Sequence, residues 1–553
     1  MSVERRCLLP AFVVCAICLL PVYAAAAQTS YLKANDEIAM VGDSVLSSGV
    51  SMELMQQVID TVYPDAGIKV LNYGSGGKSA NSGITFMEGY KGKRIAAMMY
   101  GVNDIRWSWS GIQEKKQNYI EHLTKIVEMA KAKKGELIFL RETHLSNNAM
   151  GGNYPVGLSW GLEHLLRAAD VLAAENNIPV IDVQGVYRKA LAEAWFKDLN
   201  YQFSPDVVHP TQPGQAAIAA AMLQAMGVGL PLATAERGPL HLVQEVPVKL
   251  EAIDATGVVK EDGKIQLSVR CRNLSNAPLK GEVTIVVAGH QETKPAEVAP
   301  YGMQMLSFAI PATQMGNRWG CLPLYMTFKT ENQFAADHTL FYYSRLIPTA
   351  DKPFVVTPKD FVQFEGQTNR TCTVSQATVS YDDKGTKVVF KWPDDTVLAK
   401  PENKTPFHKS IDYNSRVGQP CDAIEFFFDV RPDESAGRFT CGISGIPKGV
   451  IRLGVYKVKE DDKIEARLLT PPGLIYGKAT LKTLTENTYL LKMSQISLGS
   501  SVGFSMRVTN ADESGPGKGM ALYLTIKPEI AYEPMSFLRL SAEKSGIFYR
   551  IGY

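Results

Sequence analysis

The sequence predicts a multidomain chain, an α/β domain built on a parallel sheet and followed by two all-β sandwich domains. Three observations predict it. From Glu37 to about Gly227, short continuous apolar runs alternate with longer helix-like stretches, the pattern of a parallel sheet buried on both faces. After about Ala235 the helical periodicity gives way to alternating strands separated by turn residues. A chain of 553 residues is also too long for one ordinary domain.

Taken in order, the strands of the first domain read as Ile38–Val41, Ile68–Leu71, Ile95–Met99, Leu137–Leu140 and Pro179–Val183. Met52–Val62, Lys115–Lys131, Trp160–Glu175 and Val186–Trp195 read as helices between and after them, and Ala216–Met226 closes the series. Val246–Val259, Lys264–Arg272, Gly281–Ala288 and Met303–Ile310 then predict a sandwich ending near Pro348. A second β-rich unit follows, including Thr386–Trp392, Ala423–Val430 and Ile451–Val458. The divisions expected are 1–27, 28–235, 236–348 and 349–553, with the last segment separable from the first domain.

Residues 1–27 have the character of an export signal. Arg5 and Arg6 precede an apolar run from Cys7 to Leu20, and Pro21 and Ala25-Ala26-Ala27 follow, placing a cleavage site near Ala27. The run is too short to span a bilayer, so the mature chain is expected to be exported without stable membrane insertion. Five cysteines follow the signal, Cys271, Cys321, Cys372, Cys421 and Cys441, and an odd number leaves at least one thiol unpaired within a monomer. A Cys271–Cys321 disulfide and a set of five buried thiols are both open on this reading. An apolar fraction of 45%, 21% charged residues and a net charge of +2 give no footprint for nucleic acid, and no protein partner is indicated.

Four short blocks carry the chemistry. Gly42-Asp43-Ser44, Gly76-Gly77 and Gly101-Val102-Asn103-Asp104 each follow a strand, and Asp206-Val207-Val208-His209 precedes the closing helix. Open α/β sheets bind ligands outside the carboxyl ends of their strands. There Ser44 would be a nucleophile and His209 its base, with Asp206 orienting the imidazole. The backbone N–H groups of Ser44 and Gly77 and the side-chain amide of Asn103 would receive an oxyanion. Read singly, each block has a plainer meaning: Asp43-Ser44 as a helix cap, the glycines as a tight turn, Asn103 as an Asx-turn.

The four blocks together resemble those of the SGNH (GDSL-type) hydrolases, over about residues 35–230. Ser44 lies in Gly-Asp-Ser, Gly77 five residues after Asn72, Asn103 in Gly-x-Asn-Asp, and Asp206 and His209 in Asp-x-x-His. Val45 stands where the GDSL name has leucine. The resemblance implies a three-layer, flavodoxin-like α/β/α fold and ester hydrolysis without metal or other cofactor. Trp107, Trp109 and Tyr154 lie near that edge and offer faces for sugar rings, or core packing. Arg141, Glu142 and His144 leave the fourth strand towards it, to contact substrate or to pair with one another, and His144 is a rival for the base. The stretch Asp422–Asp429 is similar to a strand of carbohydrate-binding-module family 9-like sandwiches, with Trp392 the one Trp of that unit.

These readings converge on an exported esterase removing O-acetyl or other short acyl groups from a polysaccharide or glycan. A lipase or lysophospholipase, a glycan O-acyltransferase and a non-catalytic glycan-binding protein are the alternatives.

Overall fold

A computed structural model describes residues 28–92, 94–105, 110–143, 145, 158–199, 201, 203–204, 208–242, 246–287, 289–315, 320–349, 351–360, 362–363, 374–393, 423–431, 433, 449–457, 464–468, 477–495, 501–510, 520–523, 538–542 and 544–553. The expected export signal, Cys372, Cys421 and Cys441 lie outside the described residues.

The first part is an α/β unit. Its strands are β1 (Glu37–Gly42), β2 (Lys69–Gly74), β3 (Ile95–Met99), β4 (Glu136–Leu140) and β5 (Val180–Ile181). All pair in parallel, in the doubly wound order β2-β1-β3-β4-β5. Its helices are α1 (Ser44–Ser47), α2 (Val50–Val62), α3 (Ala80–Gly89), α4 (Ile112–Ala132), α5 (Leu158–Asn176), α6 (Val183–Trp195) and α7 (Gln212–Ala225). The step from β1 to β2 runs one way along the sheet and the later steps run the other. Right-handed crossovers therefore put α2 on one face and α3, α4 and α5 on the other. Accordingly α3 packs on α4 and α4 on α5, while α7 packs between α2 and α6.

Three elements depart from expectation for local reasons. Strand β5 stops at Ile181 because Asp182 caps α6, accepting the Gly185 N–H at 2.9 Å. Helix α3 has little helical signal, since Asn81, Ser82, Gly83 and Gly89 are weak helix formers. Gly83 packs close to α4: a Cβ there would lie 2.7 Å from Ile126 Cδ1. The helix expected after Ser44 is a single turn, broken by left-handed Gly49 (φ 78°) before α2 begins.

The second part contains β6 (Val248–Ala252), β7 (Ala255–Val259), β8 (Lys264–Asn273), β9 (Leu279–Val287), β10 (His290–Val298), β11 (Met303–Pro311), β12 (Gly320–Lys329) and β13 (Phe334–Pro348). Strand β8 alternates buried and outward residues, as a half-covered strand should. Its Leu267 and Val269 meet Ile285, Met326 and Phe328 of the facing sheet in one core. Strand β12 is buried along nearly its whole length because its other side, with Cys321 and Tyr325, joins the α/β core. The Ala-rich α7 is buried all round for the same reason, lying against β12 and β13. Cys271 and Cys321 form no disulfide; they lie in different cores, which settles that open question against the bridge.

The remaining strands form two further sheet faces around Val379, Phe390, Phe426, Leu453 and Phe504. No sheet break falls at residue 348. The strand Gly546–Ile551 returns to pair with both β13 and β7, and Leu538–Ser541 pairs with the end of β13. Trp392 is 2% exposed and belongs to this core, so it presents no face to a sugar.

Candidate active site

Strands β1, β2 and β3 end level with one another, Gly42 standing opposite Gly74 on one side and Met99 on the other. The turns that follow therefore meet at one edge, where the strand order reverses. The approach needs glycine. A Cβ on Gly42 would sit 2.6 Å from the Met99 carbonyl oxygen, and one on Gly74 2.6 Å from the Leu46 carbonyl carbon.

Ser44 opens the one-turn α1 and is partly exposed. Asp43, fully buried, caps that turn: its Oδ1 accepts the Val45 N–H at 2.9 Å and its carbonyl accepts the Leu46 N–H at 3.3 Å. The cap reading of Asp43 is thus correct, and it leaves Ser44 available. Neither the backbone N–H of Ser44 nor that of Gly77 has an acceptor among the described residues. Gly77 is exposed and left-handed (φ 71°), and nothing stands within 4 Å of where its Cβ would be. The Gly-rich turn is held at its start: Ser75 N–H donates to the Gly42 carbonyl, and Gly74 N–H to Asn72 Oδ1.

Asn103 lies just past β3. Its Nδ2 donates to Lys78 O at 2.9 Å and to Asp43 Oδ2 at 3.2 Å, so both amide hydrogens have acceptors. An oxyanion would have to displace or share one of them, and the backbone carbonyl of Lys78 is the weaker competitor for a negative charge. The next residue, Asp104, caps α3 from across the site by accepting the Ala80 N–H.

Below this turn lies a group that sequence reasoning named without its role. Glu142, fully buried just past β4, accepts the Val102 N–H at 2.7 Å through Oε2 and hydrogen-bonds with the Asp43 carboxyl. Burial pushes the Asp43 carboxyl up to about 6, partly offset by the Val45 N–H, Glu142, the charge of His209 and Asn103. Burial, with the Asp43 charge second, holds Glu142 well above the usual carboxylate range. No short motif marks this pairing; the only sequence signal was an acid leaving a strand end.

His209 is partly exposed before α7, and its charge bears on Asp43, which brings it within electrostatic reach of the serine turn. Gln215 of α7 fastens the two segments, its Nε2 donating to Val45 O at 2.8 Å. Arg141 is held by acidic groups of α5 and of the α6 cap. Its guanidinium is engaged by Glu163 at 3.1 Å, by Asp170 and by Asp182 at 3.6 Å, with 18% of the side chain exposed. It pairs with α5 and the α6 cap, and not with Glu142. Asp206, Trp107, Trp109, His144 and Tyr154 lie outside the described residues. Among the described residues no group of three or more His, Cys, Asp or Glu is placed to hold a metal ion.

No family model and no curated protein matches the chain. Solved structures similar to parts of it include a gut microbial diltiazem-metabolizing enzyme, at 15% identity over 49% of this chain and 72% of that one, TM-score 0.33. An acetylxylan esterase from Geobacillus stearothermophilus aligns at 19% identity over 37% of this chain and 100% of its own, TM-score 0.29. An alpha/beta hydrolase from the metagenome of Lake Arreo, Spain, aligns at 19% identity over 36% and 99%, TM-score 0.29. Likeness this slight carries no argument about activity.

Proposed function

We propose that the chain is an SGNH-type serine esterase that removes O-acetyl or other short acyl groups from a polysaccharide or glycan, outside the cytoplasm. The observation that carries the reading is a partly exposed serine at the strand-order reversal, with two backbone donors that have no acceptor among the described residues, its own N–H and that of Gly77. Such donors aimed at a developing oxyanion are among the largest contributions to acyl-transfer catalysis.

In this mechanism Ser44 Oγ attacks the ester carbonyl while His209 takes its proton. Asp206 fixes the imidazole tautomer. The tetrahedral oxyanion is held by the N–H groups of Ser44 and Gly77, with Asn103 joining as its bond to Lys78 O yields. Collapse expels the sugar hydroxyl, which leaves with the proton from His209. Water, deprotonated by the same imidazole, then releases the acid and restores Ser44.

The test is acetate release from a panel of acetylated glycans, comparing the protein with Ser44→Ala. Release by the unmodified protein alone supports the reading. Cleavage of short synthetic esters without any glycan turnover keeps the chemistry and removes the carbohydrate. Equal turnover by Ser44→Ala removes the nucleophile.

A further inference from the structure

We propose that the groove between edge strand β2 and helix α3 is a subsite for the chain of an anionic glycan, one bearing uronate carboxylates or sulfate esters. The proposal rests on the esterase reading above and names the substrate it favours.

A helix covering a parallel sheet ordinarily presents large apolar residues to it. Helix α3 buries Ala80, Gly83 and Met87, and lines the groove with Ser82, Thr85, Phe86 and Gly89, the i, i+3, i+4, i+7 positions of a neighbouring face. Two hydroxyls and a missing side chain do not fill the space over the strand, and among the described residues no atom outside the local helix backbone lies within 4 Å of a Cβ at Gly89. What remains is a cavity of about 720 Å³, within the range of small-ligand sites.

Its position ties it to the chemistry. One end is formed by Gly42, Ser75 and Lys78, which adjoin Ser44 and Gly77; the other by Glu37 and Arg94 at the opposite edge of the sheet. The six residues of β1 make that run about 17 Å. A single acyl group needs no such length, whereas a polymer chain extending from its acylated sugar does.

The lining suits an anionic carbohydrate. Tyr73, 39% exposed, meets Phe86 edge-on at 5.0 Å, and Phe86 meets Tyr90 at 5.9 Å, so the groove has an aromatic wall. Arg94 is neutralised by Glu37 at 2.5 Å and also bonds the Tyr73 hydroxyl. Lys78 and Lys91, exposed along the groove, have no acidic partner among the described residues. The groove therefore carries uncompensated positive charge beside hydroxyl donors, which favours carboxylate or sulfate over a neutral chain or a long acyl tail.

The test compares the full chain with Lys91→Glu on p-nitrophenyl acetate and on three acetylated oligosaccharides: a neutral xylo-oligosaccharide, an oligogalacturonide and a sulfated oligosaccharide. Lys91→Glu is expected to raise KM for an acidic substrate about tenfold, leave kcat near its original value, and leave p-nitrophenyl acetate and the neutral substrate unchanged. High salt should shrink the difference. The acidic arm that responds identifies carboxylate or sulfate. Serine-dependent cleavage of p-nitrophenyl acetate with equal KM on neutral and acidic glycans, unmoved by Lys91→Glu, would overturn the groove and leave the esterase standing. If no ester is cleaved, calorimetric binding of deacetylated oligogalacturonide and of the sulfated oligosaccharide decides separately. Binding weakened by Lys91→Glu keeps the groove, and absence of binding ends it.

Discussion

The carboxyl groups of Asp43 and Glu142 are hydrogen-bonded to one another beneath the serine turn, with neither side chain reachable by solvent. Two buried carboxylates in contact cannot both be ionised, so the pair shares a proton. Glu142 Oε2 accepts the Val102 N–H, and burial keeps its carboxyl protonated well above the usual range. Asp43 then collects the Val45 N–H, the Asn103 amide and the Glu142 hydroxyl, and through them fixes both the nucleophile turn and an oxyanion donor.

Glu142→Gln should accordingly be tolerated, since an amide can still donate to Asp43 and accept from Val102. Glu142→Ala should cost about 2–4 kcal/mol by leaving a cavity and the buried Val102 N–H unpaired. Urea midpoints measure both. An alanine variant as stable as the glutamine variant would remove the pair from the account.

The same pair sets a pH dependence of definite sign. Both carboxyls keep their protons to higher pH in the folded chain than in the unfolded one. The native state therefore binds more protons, and stability falls as pH rises from the unfolded values near 4. For Asp43 the fall runs to about 6, and for Glu142 it continues beyond. Asp104 and His209 also act on the pair and travel unchanged with either variant. Glu142→Gln should therefore gain stability relative to the unmodified protein as pH is raised from about 4. A relative loss on raising the pH would reverse the sign.

Gly77→Ala should lower kcat at least about tenfold with little change in KM, because a left-handed alanine costs about 1–2 kcal/mol and tilts the N–H away. Gly76→Ala is the control: its Cβ also enters open space, and its backbone is not left-handed. Equal effects on kcat for p-nitrophenyl acetate would deny Gly77 its donor role.

Deleting residues 546–553 should destabilise the α/β unit itself. The strand Gly546–Ile551 lies between β13 and β7, and Tyr553, 2% exposed, packs its ring 5.8 Å from Phe203 and 6.1 Å from His338. The thermal midpoint of esterase activity should drop by more than about 5 °C. An unchanged midpoint would restore the separable final segment that the sequence suggests.

Much of this protein is local and therefore written in the sequence. The apolar runs of β1, β3 and β4 announce buried parallel strands because a strand covered on both faces leaves no place for polar residues. Ser44, Gly77 and Asn103 could be placed at the strand ends because each follows its strand within a few residues. Contacts between distant segments were decided only by the folded chain. Glu142 lies under Asp43, Arg141 turns to α5, Cys271 and Cys321 enter separate cores, and the strand Gly546–Ile551 returns beside β7. Such pairings have no sequence period or motif. Their energy comes from burying particular groups together, and which groups meet is settled only when the sheets and helices pack.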